Sequence, residues 1–253
     1  MIINAKIGRG LLIFFLFFIG LAFIFWPSLG DQKIFNDYYA HQTGYNFYKD
    51  FGNSLREGHI QLWSSSYMAG FPVYLTQIGL FNPTGLLLFR FFDYVLAYNW
   101  LIFLNFLFAG LAMYWFIRNL KLSVSASILA GFVWALSYNN IQYGSIPILS
   151  VPYAFIPLFF GVILKYSENN KKYLILGGFV AAYGLIAGFI TVVFFAFIAA
   201  LAWALFLDWP RFFGKALRGY ILISIIGIFL ASFWLLPVLN YLPHTLRGEA
   251  VTS

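Results

Sequence analysis

Residues 173–207 read YLILGGFVAAYGLIAGFITVVFFAFIAALAWALFL, an apolar run without a single charge. As one helix it would measure about 50 Å, against about 30 Å for the hydrocarbon core of a bilayer. A break near Gly184–Gly188 turns it into two shorter helices. The choice between one span and two decides which side of a membrane every later segment faces. The flanking charges settle it.

Working outward, five further stretches are apolar enough to span: Leu11–Trp26, Tyr94–Ile117, Val124–Leu136, Ile148–Leu164 and Gly219–Leu236. With two spans from 173–207 the total is seven crossings. Lys6 and Arg9 precede the first; Arg118 and Lys121 follow the second. Lys165, Lys171 and Lys172 lie between the fourth and fifth, and Arg211, Lys215 and Arg218 between the sixth and seventh. In an alternating chain all of these fall on one face, which is cytoplasmic because basic loops stay inside. A single span over 173–207 would put the last cluster on the wrong side. The reading is therefore an all-α, polytopic transmembrane helix bundle of about seven spans, its N-terminus cytoplasmic, with residues 1–253 as one transmembrane domain in the cell membrane. Leu11–Trp26 is taken as a retained span, although Ser28 and Gly30 also stand at signal-cleavage spacing.

Composition agrees. Hydrophobic residues make up 62% and charged residues 9% of the chain, far from the roughly one quarter charged of a soluble domain. The net charge of +7 is carried by topological anchors, so no nucleic-acid partner is expected. With no cysteine, disulfides and thiolate chemistry are excluded.

One segment breaks the pattern. Residues 28–93 are too polar for lipid and hold five of the eight acids, Asp31, Asp37, Asp50, Glu57 and Asp93. Topology makes this the first extracytoplasmic loop. Tyr38–Glu57 reads as a helix lying on the membrane, with Phe47, Tyr48, Phe51 and Leu55 on one side and Lys49, Asp50, Asn53 and Arg56 opposite. A turn-rich run with Trp63, Gly70 and Pro72 follows, and Asn82–Pro83 opens a short apolar segment, Gly85–Phe92, read as interfacial or re-entrant. Most of these charges suit plain solvation of an outer loop. Asp37 does not: Asn36, Tyr38, Tyr39 and His41 hem it in near the interface, where partial desolvation makes a carboxylate a better base. Arg90, inside an apolar segment, either snorkels or pairs with an anion. Asp37 and His41, four apart on a helix, are a candidate pair of ligands for a divalent metal.

No Walker loop, dinucleotide fingerprint, HExxH or GxSxG motif occurs, so ATP-driven transport, dehydrogenase and hydrolase readings lack a basis. The spans also lack the buried acids expected of an ion-coupled transporter.

The order of features in the loop resembles a known family. Asp37 follows the first span; then come Glu57-Gly58-His59-Ile60-Gln61-Leu62-Trp63, Ala69-Gly70-Phe71-Pro72, Gln77 and Phe81-Asn82-Pro83. Leu236-Pro237 followed by Arg247 looks like the Pro-then-Arg stretch after a distal span. This resembles the YfhO-like bacterial membrane proteins and related families of the GT-C superfamily, polytopic glycosyltransferases that use polyprenyl-phosphate sugars. Gln61 and Ser65 stand where that pattern has prolines. Members are usually longer, so the resemblance implies that this chain is an N-terminal piece lacking an acceptor-binding part.

What the resemblance implies is transfer of a sugar from a polyprenyl-phosphate donor to a cell-envelope glycan or polymer acceptor at the outer face. Asp37 is then the base for the acceptor hydroxyl, with Asp31 in reserve. Arg56, Arg90, His41, and Arg247 with His244 are the candidates to hold the departing phosphate. Trp63 and Tyr38 or Tyr39 are placed to stack on a sugar, and Gln42, Gln77 and Asn82 to bind substrate. The neutral outer stretch Ser137–Pro152 offers Tyr138, Asn139, Asn140, Gln142 and Tyr143 as sugar hydrogen-bonders, or is an ordinary turn. The competing class is a non-catalytic membrane protein that handles lipid, scaffolds, or flips lipid while keeping the fold.

Overall fold

The computed structural model describes residues 2–30, 45–64, 70–73, 82–144, 146–209, 213–241 and 243. Ten α-helices and one small ribbon account for nearly all of them. In chain order they are α1 (Ile2–Phe25), α2 (Tyr45–Glu57), the two-residue strands β1 (Trp63–Ser64) and β2 (Phe71–Pro72), α3 (Pro83–Phe91), α4 (Tyr94–Asn119), α5 (Val124–Ala135), α6 (Tyr138–Tyr143), α7 (Pro147–Ser167), α8 (Lys172–Ala187), α9 (Ile190–Leu207) and α10 (Lys215–Tyr241).

Local chemistry sets the helix starts. Asp93 caps α4 by accepting from Leu96 N at 3.1 Å, and Ser123 caps α5 by accepting from Ala126 N at 3.2 Å. Pro147 opens α7, where its missing N–H costs nothing. Asp208 reaches forward to α10, its two carboxylate oxygens accepting from Ala216 N and Leu217 N at 3.1 and 2.8 Å. That places a negative charge at a helix N-terminus, where the macrodipole favours it.

The 173–207 run is broken as the charges require. α8 ends at Ala187, Gly188 is extended, and α9 starts at Ile190. Five helices are long and apolar enough to cross a membrane: residues 8–28, α4, residues 149–167 of α7, α9 and α10. α5 and α8 are apolar but have 12 and 16 residues, about 18 and 24 Å at 1.5 Å per residue. The structure is thus an all-α polytopic bundle with five helices of spanning length and two shorter companions.

Packed pairs show the directions. Asn105 donates to Ser150 Oγ at 2.6 Å near the start of α4 and α7, and Trp115 covers Gly161 further along both, so these helices run parallel. α1 is antiparallel to α4, with Phe25 beside Phe106 (ring centroids 4.7 Å) and Phe17 against Gly110. α8 turns back along α7, Gly184 meeting Phe155 and Gly188 lying near Pro152. α9 follows α7 in parallel, Phe155 beside Phe197 and Phe160 stacked on Trp203. α10 parallels α8 through Gly177 against Ile223 and Ala181 against Gly227. Direction therefore alternates along the seven apolar helices. Arg9, Arg118, Lys121, Lys165, Lys171, Lys172, Lys215 and Arg218 gather at one end of the bundle, and α2, the ribbon and α6 at the other.

Two buried clusters share the interior. One joins α1 to α5 around Phe17, Phe51, Phe89, Tyr98 and Phe103. The other joins α7 to α10 around Phe155, Phe159 and a row of alanines.

Candidate functional site

The end of the bundle away from the basic residues carries a cap built from α2, the ribbon and α3. Periodicity places the apolar side of α2 correctly: Tyr48, Phe51 and Leu55 are buried, whereas Lys49, Asn53 and Arg56 are exposed. What they are buried against differs from the expected membrane surface. Tyr48 stacks on Phe89 of α3 at 5.5 Å and meets Tyr98 of α4 edge-on at 5.5 Å. Helix α2 is therefore docked on protein, because aromatic side chains on α3 and α4 offer it a closer-packed partner than lipid does. Burial, with the nearby Tyr94 hydroxyl adding to it, pushes the Tyr48 phenol well above the usual tyrosine range. Residues 38–44 of the expected longer helix lie outside the described residues.

Helix α3 is the expected short apolar segment, and its path is informative. It leads into α4 through Phe92 and Asp93, and runs back along it. Phe89 packs on Tyr94, and Gly85 lies near Leu101. Its N-terminal residues Pro83 and Thr84 line a cavity of about 360 Å³ together with Phe108 and Leu111 of α4, Leu158 of α7 and Tyr183 of α8. Phe108 is about 20 Å below the start of α4 at 1.5 Å per residue. So α3 points its N-terminus down into the bundle and its C-terminus out to the cap.

Of the sequence-derived site residues, Arg56, Trp63, Asn82 and Arg90 fall in described segments. Asn82 is 2% exposed, and its side chain accepts from Thr84 N at 3.1 Å. It caps α3 at the deep end, one helix length (about 12 Å) from Arg90. The fold does not bring these two together. Arg56 and Arg90 are brought together: Arg56 donates to Phe92 O just beyond α3 at 2.8 Å and to Asn53 Oδ1 at 2.6 Å, and Arg90 donates to Leu55 O near the end of α2. Each helix thus lends an arginine to the other's C-terminal carbonyls, which otherwise lack partners. Leu55 O also accepts from Gly58 N, where φ is +94° and a side chain would be strained.

Trp63 is 59% exposed on the ribbon. One edge of its indole lies over Gly70, where an added Cβ would stand 3.1 Å from the ring, and the pairing Trp63↔Pro72 holds it there. An indole braced on one side and open on the other can receive a flat apolar ligand face.

Asp31, Asp37, His41, Gln42, Gln77, His244 and Arg247 lie outside the described residues, as do Tyr38 and Tyr39. The candidate metal pair Asp37 and His41 falls with them. Among the described residues no three His, Asp or Glu side chains converge. In the stretch after α5, Tyr138, Asn139, Gln142 and Tyr143 are exposed, but Asn140 is fully buried and donates to Ala135 O at 2.6 Å. It braces the turn from inside.

Sequence reasoning missed the buried amides. Asn99 and Asn105 lie on α4 amid apolar residues and are 0% and 2% exposed. Asn99 donates to Gly30 O at 3.1 Å and ties the exit of α1 to α4, while Asn105 ties α4 to α7. The signal for both was present, since an amide in an apolar span needs a partner. Asn140 Oδ1 and Ser137 Oγ are buried with no partner among the described residues.

The chain matches no protein-family profile, no curated protein and no solved structure.

Proposed function

We propose that this protein is a membrane glycosyltransferase of the GT-C type, moving a sugar from a polyprenyl-phosphate donor to a cell-envelope acceptor. The seven apolar helices would all cross the cell membrane, with the basic end cytoplasmic and the cap outside. The observation that carries the reading is the stacking of two environments. An apolar cavity lies at mid-depth between α3, α4, α7 and α8, and above it stands a cap with an open indole and two guanidinium groups. A donor with a hydrocarbon chain, a phosphate and a sugar has parts to match each.

In this reading the acceptor hydroxyl oxygen attacks the anomeric carbon as the bond from that carbon to the phosphate oxygen breaks. The electron pair leaves with the phosphate, which needs no acid to protonate it, and the hydroxyl proton passes to Asp37, with Asp31 as reserve. Cationic donors stabilise the charge arriving on the phosphate; His41, His244 and Arg247 are candidates alongside Arg56 and Arg90. Trp63 would hold the sugar by its face.

The test is product detection by mass spectrometry in vesicles supplied with polyprenyl-phosphate sugar. Asp37→Asn should lower transfer by at least about 100-fold with folding unchanged, because an amide cannot take the proton. Full activity in that variant would remove Asp37 from its role. The almost wholly apolar cavity lining also favours a second reading, a non-catalytic lipid-handling or flippase-like protein. Movement of sugar-lipid across the vesicle wall without change of bond would select it.

A further inference from the structure

The sequence left Arg90 two roles, snorkelling or holding an anion. The structure gives its surroundings. On α3, Leu87, Arg90 and Phe91 lie three and four residues apart, so they share one face. That face is turned outward: Leu87 is 63% and Phe91 73% exposed, whereas Gly85 and Phe89 on the other side are buried. Because α3 rises from the depth of Phe108 to the start of α4, the stripe has a direction. Leu87 lies one turn below Phe91, and the guanidinium groups of Arg90 and Arg56 stand at the top, at the level of Leu55 and Phe92.

Electrostatics gives the stripe a sign. The two helix C-termini contribute about half a negative charge each, against two full positive charges, which leaves an excess of roughly one. The acids nearest in sequence face elsewhere. Glu57 lies 3.8 Å from His59 Nδ1, and Asp93 caps α4 by accepting from Leu96 N. Among the described residues neither arginine forms an ion pair with a carboxylate. Arg56 spends two of its five N–H donors on Phe92 O and Asn53, and Arg90 spends one on Leu55 O. The rest are available at the depth where a bilayer keeps its phosphates, since α4 at 26 residues is about 39 Å long and outreaches the 30 Å core.

We propose that Arg56 and Arg90 form the headgroup seat of a resident anionic glycerophospholipid, its phosphate on the two guanidinium groups and one acyl chain descending along Phe91 and Leu87. This goes beyond the sugar-transfer reading and assigns these arginines to the bilayer rather than to the donor. A donor phosphate would have to reach the cleft side of α3, and this stripe is on the opposite side. The lipid also has a structural use: it joins the C-terminal ends of α2 and α3 from outside, as the crossed arginine bonds do from within.

The test uses the full chain, reconstituted in vesicles of equal phosphatidylglycerol and phosphatidylcholine and then extracted into mild detergent, with retained lipid counted by mass spectrometry. Wild type should retain phosphatidylglycerol preferentially. Arg56→Gln or Arg90→Gln should each reduce that retention about fivefold, and the pair about thirtyfold, the factors that roughly 1 kcal/mol per basic residue at a membrane surface converts to. Lys171→Gln with Lys172→Gln, two charges removed at the opposite end, should leave it unchanged. Equal retention in the double arginine variant, or equal loss in the lysine control, would overturn the proposal. So would displacement of phosphatidylglycerol by polyprenyl phosphate, which would return the seat to the donor. If the double variant does not fold, as judged by its unfolding midpoint in phosphatidylcholine alone, the single variants decide. No step reads sugar transfer, so a chain without transferase activity leaves this result standing.

Discussion

The two buried clusters solve the same packing problem in opposite ways. Around α1, α4 and α5 the space between helices is filled by rings: Phe17 stacks on Phe132 at 4.5 Å, and Phe18, Trp100 and Phe103 form an edge-to-face set. Between α8 and α10 the space is removed instead. Gly177, Gly178, Ala181 and Gly227 let the two backbones approach until Ile223 and Ile226 fill the remaining gap. The first arrangement depends on large side chains in one set of rotamers, the second on the absence of side chains. In lipid, where apolar burial between helices gains little, both rely on close contact. They should therefore fail under opposite kinds of substitution.

Removing a ring should cost most. Phe17 is 0% exposed and touches α1, α4 and α5 neighbours, so Phe17→Ala should destabilise the protein by about 3–5 kcal/mol. Unfolding in micelles would measure it, and a loss under 1 kcal/mol would mean the cluster collapses to close the cavity. Next comes the same small insertion in each half. An Ala at 178 would overlap Ile226 beside its backbone, and Gly178→Ala should cost about 1–3 kcal/mol. An Ala at 20 meets only the far edge of the Phe132 ring, at 2.9 Å, and Gly20→Ala should stay within about 0.5 kcal/mol of wild type. Equal effects at the two sites would erase the distinction between the halves. The smallest effect belongs to the link between them. Asn105→Leu deletes the bond to Ser150, which still donates to Pro147 O at 2.9 Å, so the loss should be about 0.6–1.7 kcal/mol. Cysteine crosslinking between α4 and α7 would reveal whether the halves then separate.

Much of this architecture was legible in the chain, for reasons that can be traced to particular residues. The break at Gly188 follows from charge placement, because Arg211, Lys215 and Arg218 must share a side with Lys165, Lys171 and Lys172. The buried face of α2 follows from the spacing of Tyr48, Phe51 and Leu55. What covers that face did not follow, since periodicity reports that a side is apolar and not whether lipid or protein meets it. The candidate site was legible only in part. Arg56 and Arg90 stand 34 positions apart, and nothing in their spacing says that each ends on the other's helix. Asn82 looked like a ligand because amides bind sugars, yet in the fold it satisfies the open N–H groups of α3.

The sequence by itself determined that this protein is a polytopic helical bundle with its basic residues gathered at one end and a polar segment at the other. Those properties come from transfer energies and charge placement, which act residue by residue along the chain. Tertiary structure decided that α3 turns back into the bundle, that a cavity of about 360 Å³ lies beneath it, and that two arginines cross at the outer end of α3 above an outward apolar stripe. Each of these depends on which distant groups can satisfy one another's hydrogen bonds and fill one another's space, and that is settled only when the helices pack.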